Sequence, residues 1–258
     1  MTRLTLKKTR DTFDAMRDFQ KKLSQQIQLT QRPIAVFDLD GTLFDVTWRT
    51  IEIMKRFAAE PTSKDRYHSE FALLRNISHE NFKYSLEQNL NELGITRHSE
   101  RGASFIREAQ DYWFKHFFTD EGVLWDRAYA GASACVHWFV NQGVRIVYLS
   151  GRDVPNMSRG TLTALERDGF PHKGDRISLV LKPDFHMDDL LFKKQSMEII
   201  KSEGGVVATF DNEPANVQMF LNEFPEAWSV HYQSAFAKHL ELSGPKFIGV
   251  NTWTELGF

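Results

Sequence analysis

Short apolar runs that are typical of strands alternate with segments of helical periodicity along this chain of 258 residues. The runs cover residues 34–37, 144–149, 177–181 and 206–210. Strands separated by helices pair in parallel, because right-handed crossovers return each strand to the same sheet. The pattern therefore predicts an α/β fold, a Rossmann-like three-layer α/β/α sandwich with a mainly parallel sheet.

Residues 46–123 interrupt this alternation. They show no β pattern and contain instead three helical faces, which begin near Trp48, Phe82 and Phe105. We therefore expect an all-helical cap domain inserted into the core domain. The predicted boundaries are 1–45 and 124–258 for the core, with an N-terminal amphipathic helix over 10–28, and 46–123 for the cap.

Composition and charge narrow the class of protein. The chain is 41% hydrophobic and 26% charged with a formal net charge of −2, which favours a globular protein and disfavours a nucleic-acid-binding surface. The one cysteine, Cys135, needs no oxidising compartment, and neither a signal peptide nor a membrane span is evident. We expect a cytoplasmic protein without a membrane partner, a monomer or a homodimer.

Two carboxylates one residue apart follow the first apolar run. Asp38 and Asp40 stand at the predicted end of a buried strand, directly before Gly41. Like charges this close disfavour each other unless a cation compensates them, and Mg²⁺ prefers carboxylate oxygens. The carboxyl end of a strand is also where open α/β sheets bind ligands. The sequence thus indicates a magnesium site at this point.

Polar residues follow two further predicted strands. Ser150, Gly151 and Arg152 end one of them, and Asp211 and Asn212 end another. Each position alone has an ordinary explanation as a helix cap or turn residue. Their order along the chain, each after an apolar strand, favours one common site over separate structural roles.

The segment Asp38-Leu-Asp40-Gly-Thr-Leu resembles the first motif of the haloacid dehalogenase superfamily, whose members are mostly phosphatases. Residues 147–152 resemble the second motif, Lys193 the third-motif lysine and residues 207–216 the fourth, metal-binding motif. In that superfamily, a helical insertion directly after the first motif is a cap that closes over the active site.

The resemblance implies a role for each residue. Asp38 would attack phosphorus and form an aspartyl-phosphate, while Asp40 would give a proton to the leaving oxygen and later take one from water. The backbone carbonyl of Asp40 would join the metal ligands. The implied site is Asp38 and Asp40 for catalysis; Ser150, Gly151, Arg152 and Lys193 for the phosphate; and Asp38, Asp40, Asp211 and Asn212 for Mg²⁺.

Some positions leave alternatives open. Asn212 and Asn216 stand where the fourth motif often has further acids, so the second metal contact there is an amide, a water or Glu213. The third-motif lysine is Lys193, Lys194 or Lys182, of which we favour Lys193. Arg152 fits a phosphate clamp or a salt bridge with Asp153 or a neighbouring loop about equally well.

These observations favour a Mg²⁺-dependent phosphatase that hydrolyses a small phosphate monoester, a nucleotide or a sugar phosphate, through an aspartyl-phosphate. Asp40 disfavours haloacid dehalogenation, because a second carboxylate that acts as acid and base is a feature of phosphoryl transfer. One alternative is a nucleic-acid end-processing phosphatase, since the Ser-Gly-Arg turn and the Leu-Lys-Pro-Asp segment resemble polynucleotide kinase-phosphatase domains. Another is a catalytically weak binding module of the same fold.

Overall fold

The structure is a computed structural model that describes residues 3–60, 66–80, 82–234 and 240–257, with side chains from residue 16 onward. Six of its strands form one parallel sheet, and two short ones form an antiparallel ribbon. Within the described residues, no helix is long and apolar enough to cross a membrane. The strands are β1 (Pro33–Phe37), β2 (Phe44–Asp45), β3 (Arg127–Ala128), β4 (Arg145–Asp153), β5 (Ile177–Lys182), β6 (Gly205–Asp211), β7 (Trp228–Tyr232) and β8 (Phe247–Val250).

Strand β1 lies inside the sheet, whose order is β5-β4-β1-β6-β7-β8. Phe37 at its end is in register with Tyr148 of β4 and Phe210 of β6. The carboxyl ends of these three parallel strands therefore meet at one edge of the sheet. The predicted mainly parallel sheet is confirmed.

The helices of the sheet domain cover both faces of the sheet. Alternate residues of β1 show this, because Ala35 and Phe37 belong to one buried apolar cluster and Ile34 and Val36 to another. These helices are α1 (Arg3–Leu29), α7 (Ala132–Asn141), α8 (Val154–Arg167), α9 (Asp189–Glu203) and α10 (Pro214–Glu223), with a 3₁₀ turn over Trp253–Leu256.

Two helix starts depend on local turn and cap residues. Helix α7 begins only at Ala132, because β3 lies before it and Gly131 has a φ of 86°, which an α-helix cannot include. Helix α9 begins at Asp189, with the Asp188 carboxylate accepting a hydrogen bond from the Leu191 N–H at 2.8 Å. Lys193 is therefore on the second turn of α9.

The segment between β2 and β3 is helical, as predicted. It has its own apolar cluster, in which Phe57, Phe71 and Phe105 contact one another at ring-centroid distances of 5.3–5.6 Å. Its helices are α2 (Thr47–Ala59), α3 (His68–Leu74), α4 (Leu86–Glu92), α5 (Glu100–Phe117) and α6 (Asp120–Val123). The domain limits at 46 and 123 stay a prediction, although Val123 packs in the cluster of the sheet domain.

The contacts that join this helical segment to the sheet domain include a strand pair and a contact between two helices. In the β2–β3 ribbon, Phe44 pairs with Ala128 and Asp45 with Arg127, so the chain enters and leaves the segment side by side. Farther along, the N–H of Gly160 on α8 donates a hydrogen bond of 2.6 Å to Asp120 on α6. A Cβ at Gly160 would lie 2.7 Å from the Asp120 Cα, so this approach requires glycine.

Candidate active site

Asp38 follows β1 directly and is only 5% exposed. Lys193 Nζ lies 2.7 Å from Asp38 Oδ1 and 2.7 Å from Asp211 Oδ2, so one ammonium bridges two carboxylates from neighbouring strand ends. The Thr42 hydroxyl donates to Asp38 Oδ2 at 2.9 Å. An ammonium and a hydroxyl from two different parts of the chain thus fix the Asp38 carboxylate.

The positive charge of Lys193 only partly compensates these two carboxylates. Burial raises the pKa of Asp38 above its ordinary value, and neighbouring Asp211 adds to the increase while Lys193 opposes it. The pKa of Lys193 is raised in turn, since both carboxylates outweigh the opposing effect of burial. A further cation would therefore be stabilised at this point.

Asp211 ends β6 and is held in one orientation. Its Oδ1 accepts a hydrogen bond from the Glu213 N–H at 2.9 Å, and the Asn216 amide donates to both of its carboxylate oxygens at 3.1 Å. Asn216 thus orients Asp211 as an amide donor. The buried Asn212 lies against Gly41, where a Cβ would come within 2.9 Å of the Asn212 Cγ and where φ is 77°. Both the short distance and the positive φ therefore require glycine at position 41.

The residues present fit a magnesium ion. Asp38 and Asp211 supply buried carboxylate oxygens, which are hard ligands, and together they carry more negative charge than Lys193 offsets. These are two side-chain ligands; among the described residues, His, Cys, Asp and Glu side chains do not form a group of three or more that could hold a metal ion. The roles of the Asp40 carbonyl and of Asn212 as further ligands stay predictions.

Asp40 differs from Asp38 in its surroundings. Its side chain is 33% exposed, and its Oδ1 accepts a hydrogen bond of 2.7 Å from Arg152 Nε and lies 3.5 Å from an Arg49 nitrogen. Burial raises the pKa of Asp40, but Arg152 and Arg49 overcome that effect and hold it below its ordinary value. The two carboxylates of the first motif therefore have opposite pKa shifts.

Arg152 is buried and fully engaged. Besides Asp40, its guanidinium binds Asp126 Oδ2 at 2.7 Å and the Thr161 hydroxyl at 3.1 Å. This arrangement corresponds to the salt-bridge alternative, although the partners are Asp40 and Asp126. Asp153 instead caps α8, where it accepts a hydrogen bond from the Asn156 N–H at 2.9 Å. Contact of Arg152 with a phosphate stays a prediction.

Arg49 and Asp126 complete this network and were not found from the sequence. Arg49 on α2 is fully buried; its Nε donates to Asp126 Oδ1 at 2.8 Å, and another of its nitrogens donates to the Phe117 carbonyl at 3.2 Å. The available signal was an arginine next to the apolar face of a predicted helix. Nothing in the pattern indicated which acid it would meet.

The remaining predicted residues lie around the same strand ends. Ser150 is buried and its hydroxyl accepts a hydrogen bond from the Arg152 N–H at 3.3 Å. Gly151 lies against Asp189, whose Oδ2 would be 2.5 Å from a Cβ at that position. Both residues border the same cavity as Asp38 and Asp40 do.

The three candidate lysines have different surroundings. Lys182 binds the Phe185 and Met187 carbonyls at 3.1 and 2.9 Å and Asp189 at 2.7 Å. Lys194 is exposed. Of the three, Lys193 is the one that contacts Asp38, although its role in binding phosphate stays a prediction.

A cavity of about 850 Å³ opens over these strand ends. The helical segment supplies much of its wall, including Phe82, Tyr84, Trp113 and Phe114, and the sheet domain supplies its floor. A cavity of this size matches the sites of small-molecule ligands. The arrangement therefore combines a fixed carboxylate, a lysine, a hydroxyl and a second carboxylate beside an open cavity.

No protein-family model and no curated protein sequence matches this chain. Solved structures do. One is a proposed phosphatase from Clostridium difficile, with 14% identity and a TM-score of 0.52 over 86% of this chain and 95% of that one. The Protein Tyrosine Kinase A of Mycobacterium tuberculosis has 13% identity and a TM-score of 0.54 over 88% and 96%.

A third structure carries the name of the superfamily that the motifs resemble. It is a proposed haloacid dehalogenase-like hydrolase from Burkholderia xenovorans, with 16% identity and a TM-score of 0.50 over 88% of this chain and 96% of that one. At these identities the likeness concerns the fold, and function has to be argued from the site. The chain has the haloacid dehalogenase-like fold.

Proposed function

We propose that this chain is a Mg²⁺-dependent phosphatase that hydrolyses a small phosphate monoester through an aspartyl-phosphate. The observation that carries the proposal is the bridge made by Lys193 between Asp38 and Asp211, with Asp40 beside it and the cavity above. A nucleophile, a phosphate-neutralising cation, a metal-binding pair of acids and a separate acid–base group are the parts that this chemistry needs.

In the first step, an Asp38 carboxylate oxygen attacks phosphorus, and the bond from phosphorus to the ester oxygen breaks. The departing oxygen takes a proton from Asp40. Ser150 and Lys193 contact the phosphoryl oxygens and stabilise the charge that redistributes over them. A bound Mg²⁺, held by Asp38 and Asp211, would neutralise charge between the anionic nucleophile and the anionic ester.

In the second step, water attacks the phosphorus of the aspartyl-phosphate and gives a proton to Asp40. The bond between phosphorus and the Asp38 oxygen breaks, which releases inorganic phosphate and restores the carboxylate. The arginines at Asp40 favour its ionised form, the form that accepts this proton. The helical segment 46–123 would act as a lid that keeps bulk water from the intermediate.

The test is phosphate release from an aryl phosphate, with Mg²⁺ and with EDTA. We expect release that requires Mg²⁺ and that falls by roughly 10⁴-fold or more in Asp38→Asn, as for other removed nucleophiles. Asp18→Asn, an exposed position on α1 paired with Lys22, is the matched control and should retain activity. Equal activity in wild type and Asp38→Asn would contradict the proposal.

The alternatives predict other outcomes. A catalytically weak binding module would bind Mg²⁺ and phosphate but release no product from any ester. An end-processing phosphatase would remove the terminal phosphate from oligonucleotides and would not hydrolyse small esters. We also propose that the protein works in the cytoplasm and is a monomer or a homodimer. Light scattering after size-exclusion chromatography measures the molar mass and thereby the oligomeric state.

A further inference from the structure

The cavity over Asp38 has an aromatic wall that nothing in the proposed chemistry uses. Tyr84 and Phe114 are 53% and 54% exposed, and both border the cavity. Phe114 lies edge-on to Phe118, at a ring-centroid distance of 5.4 Å. Partly exposed aromatic rings grouped at a cavity are typical of a surface that a planar apolar group covers.

Tyr84 lies beside the sheet domain at the cavity wall. Its hydroxyl lies near Glu213, within the fourth motif, and burial together with this carboxylate raises the pKa of Tyr84 to about 12. Tyr84 and Glu213 border the same cavity. Because Glu213 is two residues after Asp211, Tyr84 lies close to the predicted phosphate site rather than at a distant rim.

The charged residues around the cavity are mostly acidic. Among the described lining residues, the cations are Lys83, Arg152 and Lys193, and two of these are already bound to carboxylates: Arg152 to Asp40 and Asp126, Lys193 to Asp38 and Asp211. Acids that line the cavity beyond Asp38, Asp40 and Asp211 are Asp45, Glu87, Asp111, Asp188, Asp189 and Glu213.

Some of these acids have partners of their own. Glu87 binds Arg97 at 2.6 Å and Asp189 binds Lys182 at 2.7 Å. Asp111 is exposed on α5, one helical turn before Lys115. With Lys83 as the available described cation, the space beyond the phosphate site opposes a second anionic group and favours a positive one.

We propose that the substrate is a phosphate monoester whose leaving group carries an aromatic ring and no second anionic group, with a cationic substituent preferred. This inference rests on the proposed function and narrows its substrate class. It includes nucleoside monophosphates and aryl phosphates. Sugar bisphosphates, nucleoside diphosphates and nucleic-acid ends fall outside it.

Three matched esters separate charge from chemistry: phosphorylated tyramine, 4-ethylphenyl phosphate and phosphorylated 3-(4-hydroxyphenyl)propanoate. All three release alkyl phenols with pKa values close to that of tyrosine, so the leaving groups are nearly equal. We expect kcat/KM to fall in this order, from cationic to neutral to anionic, by at least roughly tenfold overall. The preference should shrink as salt increases.

Two variants test the two parts of the inference. Asp111→Asn should lower the ratio of kcat/KM between the cationic and the anionic ester, whereas Asp175→Asn, exposed and outside the cavity, should leave that ratio unchanged. Phe114→Ala should lower kcat/KM for 4-ethylphenyl phosphate more than for ethyl phosphate. Leu73→Ala, an exposed residue on α3 away from the cavity, is its control.

The outcomes distinguish this inference from the proposed function. Turnover of glucose 6-phosphate or of a phosphorylated oligonucleotide in preference to all three aryl esters overturns the inference alone. A preference for the anionic aryl ester does so as well. No phosphate release from any of these compounds with Mg²⁺ overturns the proposed function, and the inference with it.

Discussion

Asp126 is the residue on which the buried charges beside the active site depend. It accepts hydrogen bonds from Arg49 and Arg152, and all three side chains are almost completely buried. Two guanidinium groups out of water are tolerated because Asp126 and Asp40 face them. The loss of one acid would leave more positive than negative charge in the same space.

We therefore expect Asp126→Asn to lower the free energy of unfolding by about 3–5 kcal/mol, the usual cost of breaking a buried pair. Urea denaturation followed by circular dichroism measures it. The control is Asp168→Asn, which removes the partly exposed pair with Arg167 and should cost less than about 1 kcal/mol. Similar losses in the two variants would show that Asp126 is not a buried compensating charge.

At the level of elements, a salt bridge between Glu70 on α3 and Arg101 on α5 joins two helices of the helical segment. Arg101 binds both Glu70 oxygens, at 2.6 and 2.9 Å. This hydrogen-bonded pairing lowers the pKa of Glu70 from 4.5 to about 2. Because the folded-state pKa is depressed, the contribution to stability is complete above about pH 4.5 and is lost as the pH falls toward 2.

Replacing Arg101 by Gln should return the pKa of Glu70 toward its ordinary value, which a carbon-13 NMR titration of the Glu70 carboxyl can follow. The variant should be less stable than wild type at pH 6, and the difference should disappear near pH 2. Arg107→Gln, an exposed arginine on the same helix, should leave the Glu70 titration in place. An unchanged titration in Arg101→Gln would refute the pairing.

For the whole molecule, the contact between Gly160 and Asp120 fixes how the helical segment rests on the sheet domain. A side chain at Gly160 would collide with the Asp120 backbone, as the Cβ–Cα distance of 2.7 Å shows. Helix α6 would have to move away from α8, and the cavity between the two parts would change with it.

Gly160→Ala should therefore destabilise the protein by about 1–3 kcal/mol, as overpacking of a close contact usually does. Gly244→Ala is the matched control, since its Cβ would meet atoms at ordinary contact distances of 3.4 and 3.8 Å. Urea denaturation measures both variants. If Gly160→Ala were as stable as Gly244→Ala, the two helices would not be held this closely.

Local patterns were sufficient for four strands of the parallel sheet, β1, β4, β5 and β6. The apolar runs before Asp38, Ser150 and Asp211 are strands because both faces of a parallel sheet are covered, which leaves a nearly continuous apolar sequence. Helix starts were harder to place, since β3 and Gly131 delay α7 for reasons that depend on pairing with β2.

Local sequence patterns are enough to predict the parallel α/β sheet, the helical insertion and the proximity of Asp38, Ser150 and Asp211, because carboxyl ends of neighbouring parallel strands share one edge. The partners of the charged side chains, in contrast, follow from the three-dimensional fold. Lys193 binds Asp38 and Asp211. Arg152 donates a hydrogen bond to Asp40, and Arg49, from a distant part of the chain, donates one to Asp126. These pairings depend on distances between residues far apart in sequence, and periodicity contains no information about such distances.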